Sequence, residues 1–308
     1  MNAEVTVGFI GLGYMGSRLA KRLLQHGYRL RVFNRNRAKT FELVQGGAVA
    51  FDHIAELASD SGVILSCLAD DQAVADVYEG VDGVLAHAKS GATVIEMSTV
   101  APETSRRLHQ LGTERGIAVL DVPISGSTLA AEQGHLTLFA GGEYPVFEAC
   151  TPIFESLAEQ FFYVGPSGSG ATMKLVVNAL LGLGMQAIAE AVVFGQKAGI
   201  DRNRLLEVLS KTAVVAPAHA YKLERAKKRD YSPQFPIRHM NKDFHLIVDK
   251  AAQLQVPMPA TVAAYQINLA EAARSQEEDF SAVMRAMEEL ASLDGVAAAH
   301  AATQAEPS

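Results

Sequence analysis

The chain has 308 residues, of which 49% are apolar and 20% charged, enough for two ordinary domains or one large one around a substantial core, which excludes a disordered polypeptide. Its 27 basic and 34 acidic residues leave a net charge of -7 with no clustered basic face, which argues against nucleic acid as a partner. Cys67 and Cys150 are too few for a disulfide framework or a zinc site, a usage that fits a reducing, cytoplasmic setting.

After MNAE, the apolar run VTVGFI predicts a strand and leaves no room for a signal or transit segment. It enters GFIGLGYMGSRLA, where Gly11, Gly13 and Gly16 have GxGxxG spacing, and a helical period follows. Gly11 permits a tight turn, Gly13 lets the backbone approach a pyrophosphate, and Gly16 lets the helix pack on the strand, with the helix N-terminus facing the negative charge. With Leu12, Tyr14 and Met15 these glycines form the candidate cofactor loop. A second strand, RLRVF, completes a strand–helix–strand context within about 30 residues, which an unrelated glycine-rich turn would lack. Where an NAD site usually carries Asp or Glu, FNRNRAK offers Asn34, Arg35 and Arg37. A guanidinium pairs in two-pronged fashion with a 2′-phosphate, so NADP(H) is the expected cofactor, with NAD(H) as the alternative and a solvated loop as the plain reading.

Further runs, GVILSC, ATVIEM, GIAVL and FFYVG, alternate with helical stretches. Residues 1–165 therefore predict an α/β fold, a Rossmann-type doubly wound parallel sheet with helices on both faces. From GPSGSG onward no strand is evident, and 166–295 are expected to be all-α, with helical periods in LLEVLSK, in the series Met240, Phe244, Ile247, Val248, Ala251 and Leu254, and in AVMRAMEELA. Residues 296–308 read as a frayed tail.

The helix opening this second half, MKLVVNALLGLGMQAIAEAVVFGQKAG, is apolar nearly all round and stops at Gly199, a plausible C-cap. It is expected to be buried on most sides, between domains or subunits, with Gly182 and Gly184 admitting another backbone, and the chain to form a homodimer or homotetramer. Its longest apolar run, fifteen residues that include Asn178 and Gln186, is shorter than the roughly 20 that a span requires, so no membrane is expected.

Lys174 is the only charged residue from Ala171 to Ala189. On a helix it shares a face with Asn178, four residues on, and an apolar setting favours proton exchange nearer neutral pH. The other reading is a first-turn lysine reaching solvent beside a satisfied asparagine, and spacing alone does not choose. Lys242 shares a helix side with Arg238 and His245 opposite the apolar stripe, and by itself looks like part of a solvated face.

Four blocks in order, GFIGLGYMGSRLA, DVPISGSTLAAEQGHLTLFAGG, GSGATMKLVVNAL and HMNKDFHLIV, resemble the β-hydroxyacid dehydrogenase family over nearly the whole chain. The resemblance implies Lys174 as general acid/base with Asn178 assisting, and Ser125, Gly126 and Ser127 as the loop that holds a substrate carboxylate. It also implies Leu68 and Thr99 along the dinucleotide and Lys242 close to it. FNR, SGS and SPQFPIRHMNKD resemble the glyoxylate/succinic semialdehyde reductase branch, in which a phenylalanine at the Phe235 position borders the substrate cavity. KDF stands where that branch commonly has KDL, so Phe244 either reshapes the pocket or fills core.

The chemistry implied is hydride transfer between NADP(H) and a small hydroxy acid or aldehyde acid, without a metal. A 3-hydroxyisobutyrate or tartronate semialdehyde type of dehydrogenase is the alternative. Imine reductases of this architecture generally carry another residue at the Lys174 position, and a noncatalytic dinucleotide-binding scaffold would lack that lysine. The nine histidines, His26, His135 and His245 among them, show no ligand spacing, and Ser125 and Ser127 lack an adjacent base of the hydrolase kind.

Overall fold

The structure, a computed structural model, describes residues 5–293, so the tail expected over 296–308 lies outside the described residues. The chain divides into two compact units between Leu175 and Val176.

The first unit contains nine strands: β1 Thr6–Ile10, β2 Arg29–Phe33, β3 Val49–Ala50, β4 Val63–Ser66, β5 Thr93–Glu96, β6 Ala118–Asp121, β7 Ile124–Ser125, β8 Leu136–Gly141 and β9 Ala158–Gly165. Between them lie α1 Gly16–Gln25, α2 Phe41–Gln45, α3 Ile54–Asp60, α4 Asp71–Tyr78, α5 Val84–His87, α6 Pro102–Thr113, α7 Thr128–Gln133 and α8 Tyr144–Leu157. The sheet order is β3-β2-β1-β4-β5-β6-β8-β7, with β9 also paired to β8. From β3 to β6 every pair is parallel, whereas β8 runs antiparallel to β6 and β7. The doubly wound, mostly parallel sheet expected from the sequence is present, with antiparallel pairing added at one end. LTLFAG, a buried apolar run inside a motif rich in loop residues, pairs with β6, β7 and β9.

Register explains the two apolar faces. Phe9, Leu65, Ile95 and Leu120 are aligned across β1, β4, β5 and β6, and they join one core cluster with α1 and α8 residues such as Leu19, Leu23 and Phe154. Their strand neighbours Ile64, Val94 and Val119 join the opposite cluster, with Leu57, Tyr78 and Leu108. Side chains alternate across a strand, so strands buried on both faces read as continuous apolar runs.

The second unit is helical, with no strand among its described residues apart from an isolated bridge between Pro236 and Asp279. It holds most of α9 Ser169–Lys197, then α10 Arg202–Leu209, α11 Pro217–Ala226, α12 Ile237–Gln253, α13 Pro259–Ala272 and α14 Val283–Leu290. Beyond α9, Gly199 takes φ +92° and the N–H of Ile200 bonds the carbonyl of Gly195, a left-handed helix stop.

Three expectations for α9 change. The helix is long and apolar enough by length and composition to cross a membrane, because it continues through Lys174 and Glu190 where the sequence count stopped. Met185, Ala189 and Val192 are nevertheless fully buried inside the protein, as in a core helix. It is also less buried than expected: Val176, Leu180, Ala187, Ala191 and Phe194 follow one face and are exposed, Phe194 at 76%. Finally, side chains and not another backbone approach Gly182 and Gly184. A methyl on Gly182 would lie 2.3 Å from the Phe244 ring, and one on Gly184 2.5 Å from the His219 ring. Phe244 is fully buried and 5.9 Å from the Tyr265 ring, so it fills core.

Candidate active site

In the first unit the candidate residues follow the C-terminal ends of parallel strands, where ligands bind on such sheets. Gly11 follows β1 at φ +92°, and a methyl there would meet the Cys67 carbonyl at 2.4 Å. A methyl on Gly16 would meet the Gly11 carbonyl at 1.9 Å, so both glycines are required by packing. Gly13 differs, because a methyl there would meet nothing within 4 Å. The start of α1 has no side-chain cap; the Ser17 and Arg18 N–H groups bond the Gly13 and Met15 carbonyls, and the loop backbone around Gly13 borders that open space. An uncapped helix N-terminus next to a side-chain-free backbone fits a pyrophosphate.

Not every residue of the loop faces that space. Leu12 is buried, and its N–H donates to Asn34 Oδ1 at 2.8 Å. Asn34 Nδ2 in turn donates to the Asn36 carbonyl at 2.9 Å, so Asn34 braces the glycine loop with both ends of its amide. A carboxylate at this position could accept from Leu12 but could not donate to Asn36. Tyr14 is exposed and Met15 half-buried. Arg37 pairs with Asp52 across the surface, while Arg35 is exposed and has no ion pair among the described residues.

Leu68 and Thr99 follow β4 and β5, and both are half-buried. The N–H of Leu68 donates to Ser98 Oγ at 2.7 Å, and the N–H of Ser98 donates to the buried Glu96 carboxylate at 2.8 Å, which ties the two segments together. Burial pushes the neighbouring Cys67 thiol up to about 12, and Glu96 adds to the effect, so Cys67 is not a nucleophile at neutral pH.

Ser125 ends β7, and Gly126 takes φ +142° with Leu136 packed where a side chain would go. Ser127 Oγ accepts from the Ala130 N–H at 3.1 Å and caps α7, which leaves its own O–H as a donor. The first turns of α9 carry Lys174, which is half-buried.

The second unit holds the remaining candidates. Asn178 is buried one turn beyond Lys174 on the same helix, and its Nδ2 donates to Asp243 Oδ2 at 2.5 Å. Its Oδ1 is buried with no hydrogen-bond partner among the described residues. Asp243 is 1% exposed and also pairs with Lys242 Nζ at 2.9 Å. The view of Lys242 as part of a solvated face is therefore corrected: its side chain is 21% exposed, against 61% for His245, which pairs outward with Asp249. Sequence reasoning passed over Asp243, the second residue of the KD pair. Its burial on a mostly polar stretch could not be read from spacing.

Phe235 is held at its backbone. Its N–H donates to Asp279 Oδ2 at 3.0 Å and its carbonyl accepts from the Phe280 N–H at 3.0 Å, while its ring stacks on His239. Asp279 is buried and pairs with Lys222 at 2.7 Å. Among the described residues no group of three His, Cys, Asp or Glu is placed to hold a metal ion.

Residues 6–165 match the family described as the NAD binding domain of 6-phosphogluconate dehydrogenase, and residues 168–287 match that described as the NAD-binding of NADP-dependent 3-hydroxyisobutyrate dehydrogenase. The chain belongs to the β-hydroxyacid dehydrogenase family. Among the relatives of this β-hydroxyacid dehydrogenase, glyoxylate/succinic semialdehyde reductase 1 of Arabidopsis thaliana is 36% identical over 282 residues, which cover 91% of this chain and 98% of the relative. NAD-dependent L-serine dehydrogenase of Pseudomonas aeruginosa is 34% identical over 289 residues, covering 91% and 96%. The solved structure of Mycobacterium tuberculosis 3-hydroxyisobutyrate dehydrogenase with L-serine has a TM-score of 0.83 at 27% identity, covering 91% of this chain and 98% of that one. The protein is an oxidoreductase of the NAD(P)-dependent hydroxyacid dehydrogenases, and it binds NADP(H) or NAD(H).

Proposed function

We propose that the protein is an NADP(H)-preferring reductase of small aldehyde acids, of the glyoxylate or succinic semialdehyde type, with Lys174 as the general acid/base. The observation that carries this reading is the pairing along α9. A half-buried lysine is followed one turn later by a buried asparagine whose Nδ2 is fixed by Asp243 and whose Oδ1 lacks a partner among the described residues. A buried polar atom without a partner costs about 1–3 kcal/mol, and a substrate hydroxyl would satisfy it.

Bound NADPH supplies the hydride. The N–H groups beside Gly13 hold its pyrophosphate, and Arg35 supports the NADP preference because Arg37 is already paired with Asp52. Ser125, the Gly126 backbone and the Ser127 hydroxyl donate to the substrate carboxylate. Lys174 gives its proton to the carbonyl oxygen as negative charge develops there, and takes it back when the hydroxy acid is oxidised. Similarity to the Arabidopsis reductase favours glyoxylate or succinic semialdehyde over methylmalonate or tartronate semialdehyde.

NADPH consumption with those four aldehyde acids tests the reading. Lys174→Ala is expected to lower turnover by about 10²- to 10⁴-fold, the usual contribution of a positioned acid. Near-native turnover of every substrate by Lys174→Ala would sink the assignment. Arg35→Ala is expected to weaken NADPH binding about tenfold or more and to leave NADH binding unchanged, the loss of one charge-assisted contact to phosphate; equal effects on both cofactors would remove the basis for NADP preference.

We also propose that the exposed face of α9 carrying Val176, Leu180, Ala187, Ala191 and Phe194 packs on a second copy of the chain, as a dimer or within a tetramer. Apolar stripes of this length are seldom left to water.

A further inference from the structure

The mechanism above makes no use of Asp121, yet this carboxylate is the most deeply placed charge at the start of α9. Asp121 ends β6 and is 2% exposed. Its Oδ1 accepts the Gly168 N–H at 2.8 Å and its Oδ2 accepts the Ala171 N–H at 2.8 Å. Both donors belong to the entry and first turn of the helix, where backbone N–H groups have no partner within the helix and negative charge is favourable. Burial raises the carboxyl, and these N–H bonds pull against that rise.

The surroundings allow the carboxylate little freedom. A methyl on Gly141 would lie 2.7 Å from Asp121 Oδ1, and one on Gly170 would lie 2.4 Å from the carbonyls of Asp121 and Phe139. The strand end and the helix start are thus closed on each other, with no room for a side chain between them. Lys174 lies three residues beyond Ala171, a rise of about 4.5 Å along the helix. In the other direction the chain passes from Asp121 through Val122 and Pro123 into β7, and Ser125 is only four residues away.

We propose that Asp121 is a positioning residue for the reduction. By clamping the first turn of α9 to the strand end from which the Ser125–Ser127 loop departs, it sets where Lys174 stands relative to the group that holds the substrate carboxylate. This inference rests on the reading of Lys174 as the acid/base. A cap with a structural role alone would lower stability and nothing else. A positioning role acts through Lys174, because displacement of a catalytic group by about 1 Å can cost a hundredfold in rate.

The test is a double-mutant cycle on the full-length enzyme. Asp121→Asn replaces one acceptor oxygen with an NH2 that faces a backbone donor, and kcat is expected to fall roughly ten- to a hundredfold while NADPH binding stays within twofold. In a Lys174→Ala background the same change is expected to alter residual turnover by less than twofold. Asp121→Ser is the second variant: it removes the carboxylate and leaves one hydroxyl oxygen to serve the two N–H donors of Gly168 and Ala171. Its kcat is expected to fall several-fold with NADPH binding retained. The inference is overturned if folded Asp121→Asn keeps kcat within twofold, or loses as much in the Lys174→Ala background as in the native one. Where Asp121→Asn does not fold, native kcat in Asp121→Ser overturns it. Native turnover by Lys174→Ala alone refutes the acid/base reading itself, and this proposal with it.

Discussion

Gly13→Ala separates a glycine kept for its ligand from one kept for its fold. Gly13 has no positive φ, and a methyl added to it meets no protein atom within 4 Å, so the variant should unfold at the same denaturant concentration as the parent, within about 0.5 kcal/mol. The methyl does occupy the open space in front of the uncapped α1 N-terminus. If a pyrophosphate lies there, it must retreat from at least one N–H donor. A hydrogen bond to a charged group contributes about 1.5–3 kcal/mol, and each 1.4 kcal/mol is tenfold in affinity. NADPH affinity should therefore fall about ten- to a hundredfold, read from the fluorescence of bound NADPH during titration. Gly16→Ala supplies the contrast: its methyl would sit 1.9 Å from the Gly11 carbonyl, and overpacking of that kind costs about 1–3 kcal/mol of stability. NADPH binding by Gly13→Ala within twofold of the parent, with stability intact, would refute the placement of the pyrophosphate.

Three further outcomes are expected. Asp243→Asn should lower kcat about tenfold with NADPH binding retained, because Asn178 loses its anionic acceptor and can turn its amide; an unchanged kcat would detach Asp243 from the chemistry. Burial tends to raise the Asp279 carboxyl, but Lys222, Ser281 and the Phe235 N–H outweigh it and hold the group below its ordinary value of 3.8. A depressed carboxyl contributes stability that is present above the unfolded value and lost as pH falls through the folded one, so the urea concentration needed for unfolding should fall on acidification below about pH 4. Lys222→Met should cost about 3–5 kcal/mol at pH 7, since it leaves a buried charge unpaired; a loss under 1 kcal/mol would contradict the pairing. Leu180→Asp with Phe194→Asp should lower the mass seen by light scattering to that of a monomer, whereas an unchanged oligomer would clear the α9 face of that role.

The strands in VTVGFI, GVILSC, ATVIEM and GIAVL were legible because they bury both faces and so read as apolar runs, RLRVF because Leu30 and Val32 alternate with its arginines, FFYVG because it is rich in aromatic and β-branched residues, and the glycine loop because its spacing answers a steric demand within a few residues. Helical periods marked α1, α9, α10, α12 and α14 for the same local reason. The short strands β3 and β7 left no such trace, for two residues are too few to show a period, and the antiparallel direction of β8 depends on a partner and not on its own residues.

The site divides in the same way. Lys174 and Asn178 could be placed on one helix face from spacing, and spacing left their role undecided. The partners that give them meaning lie far off in the chain: Asp243 is 65 residues from Asn178, and Asp121 is 50 from Ala171. Asn34 offered itself as a cofactor contact and proved to brace the loop through Leu12, at a separation of 22 residues. Sequence by itself determined the longer elements and the dinucleotide loop, which follow from short-range sterics and periodicity, while the acid/base role of Lys174 was implied by the resemblance of the four ordered blocks. Tertiary structure alone decided which carboxylates are buried and whose N–H groups they hold, because burying a charge is tolerable only where the fold brings donors to it from distant segments.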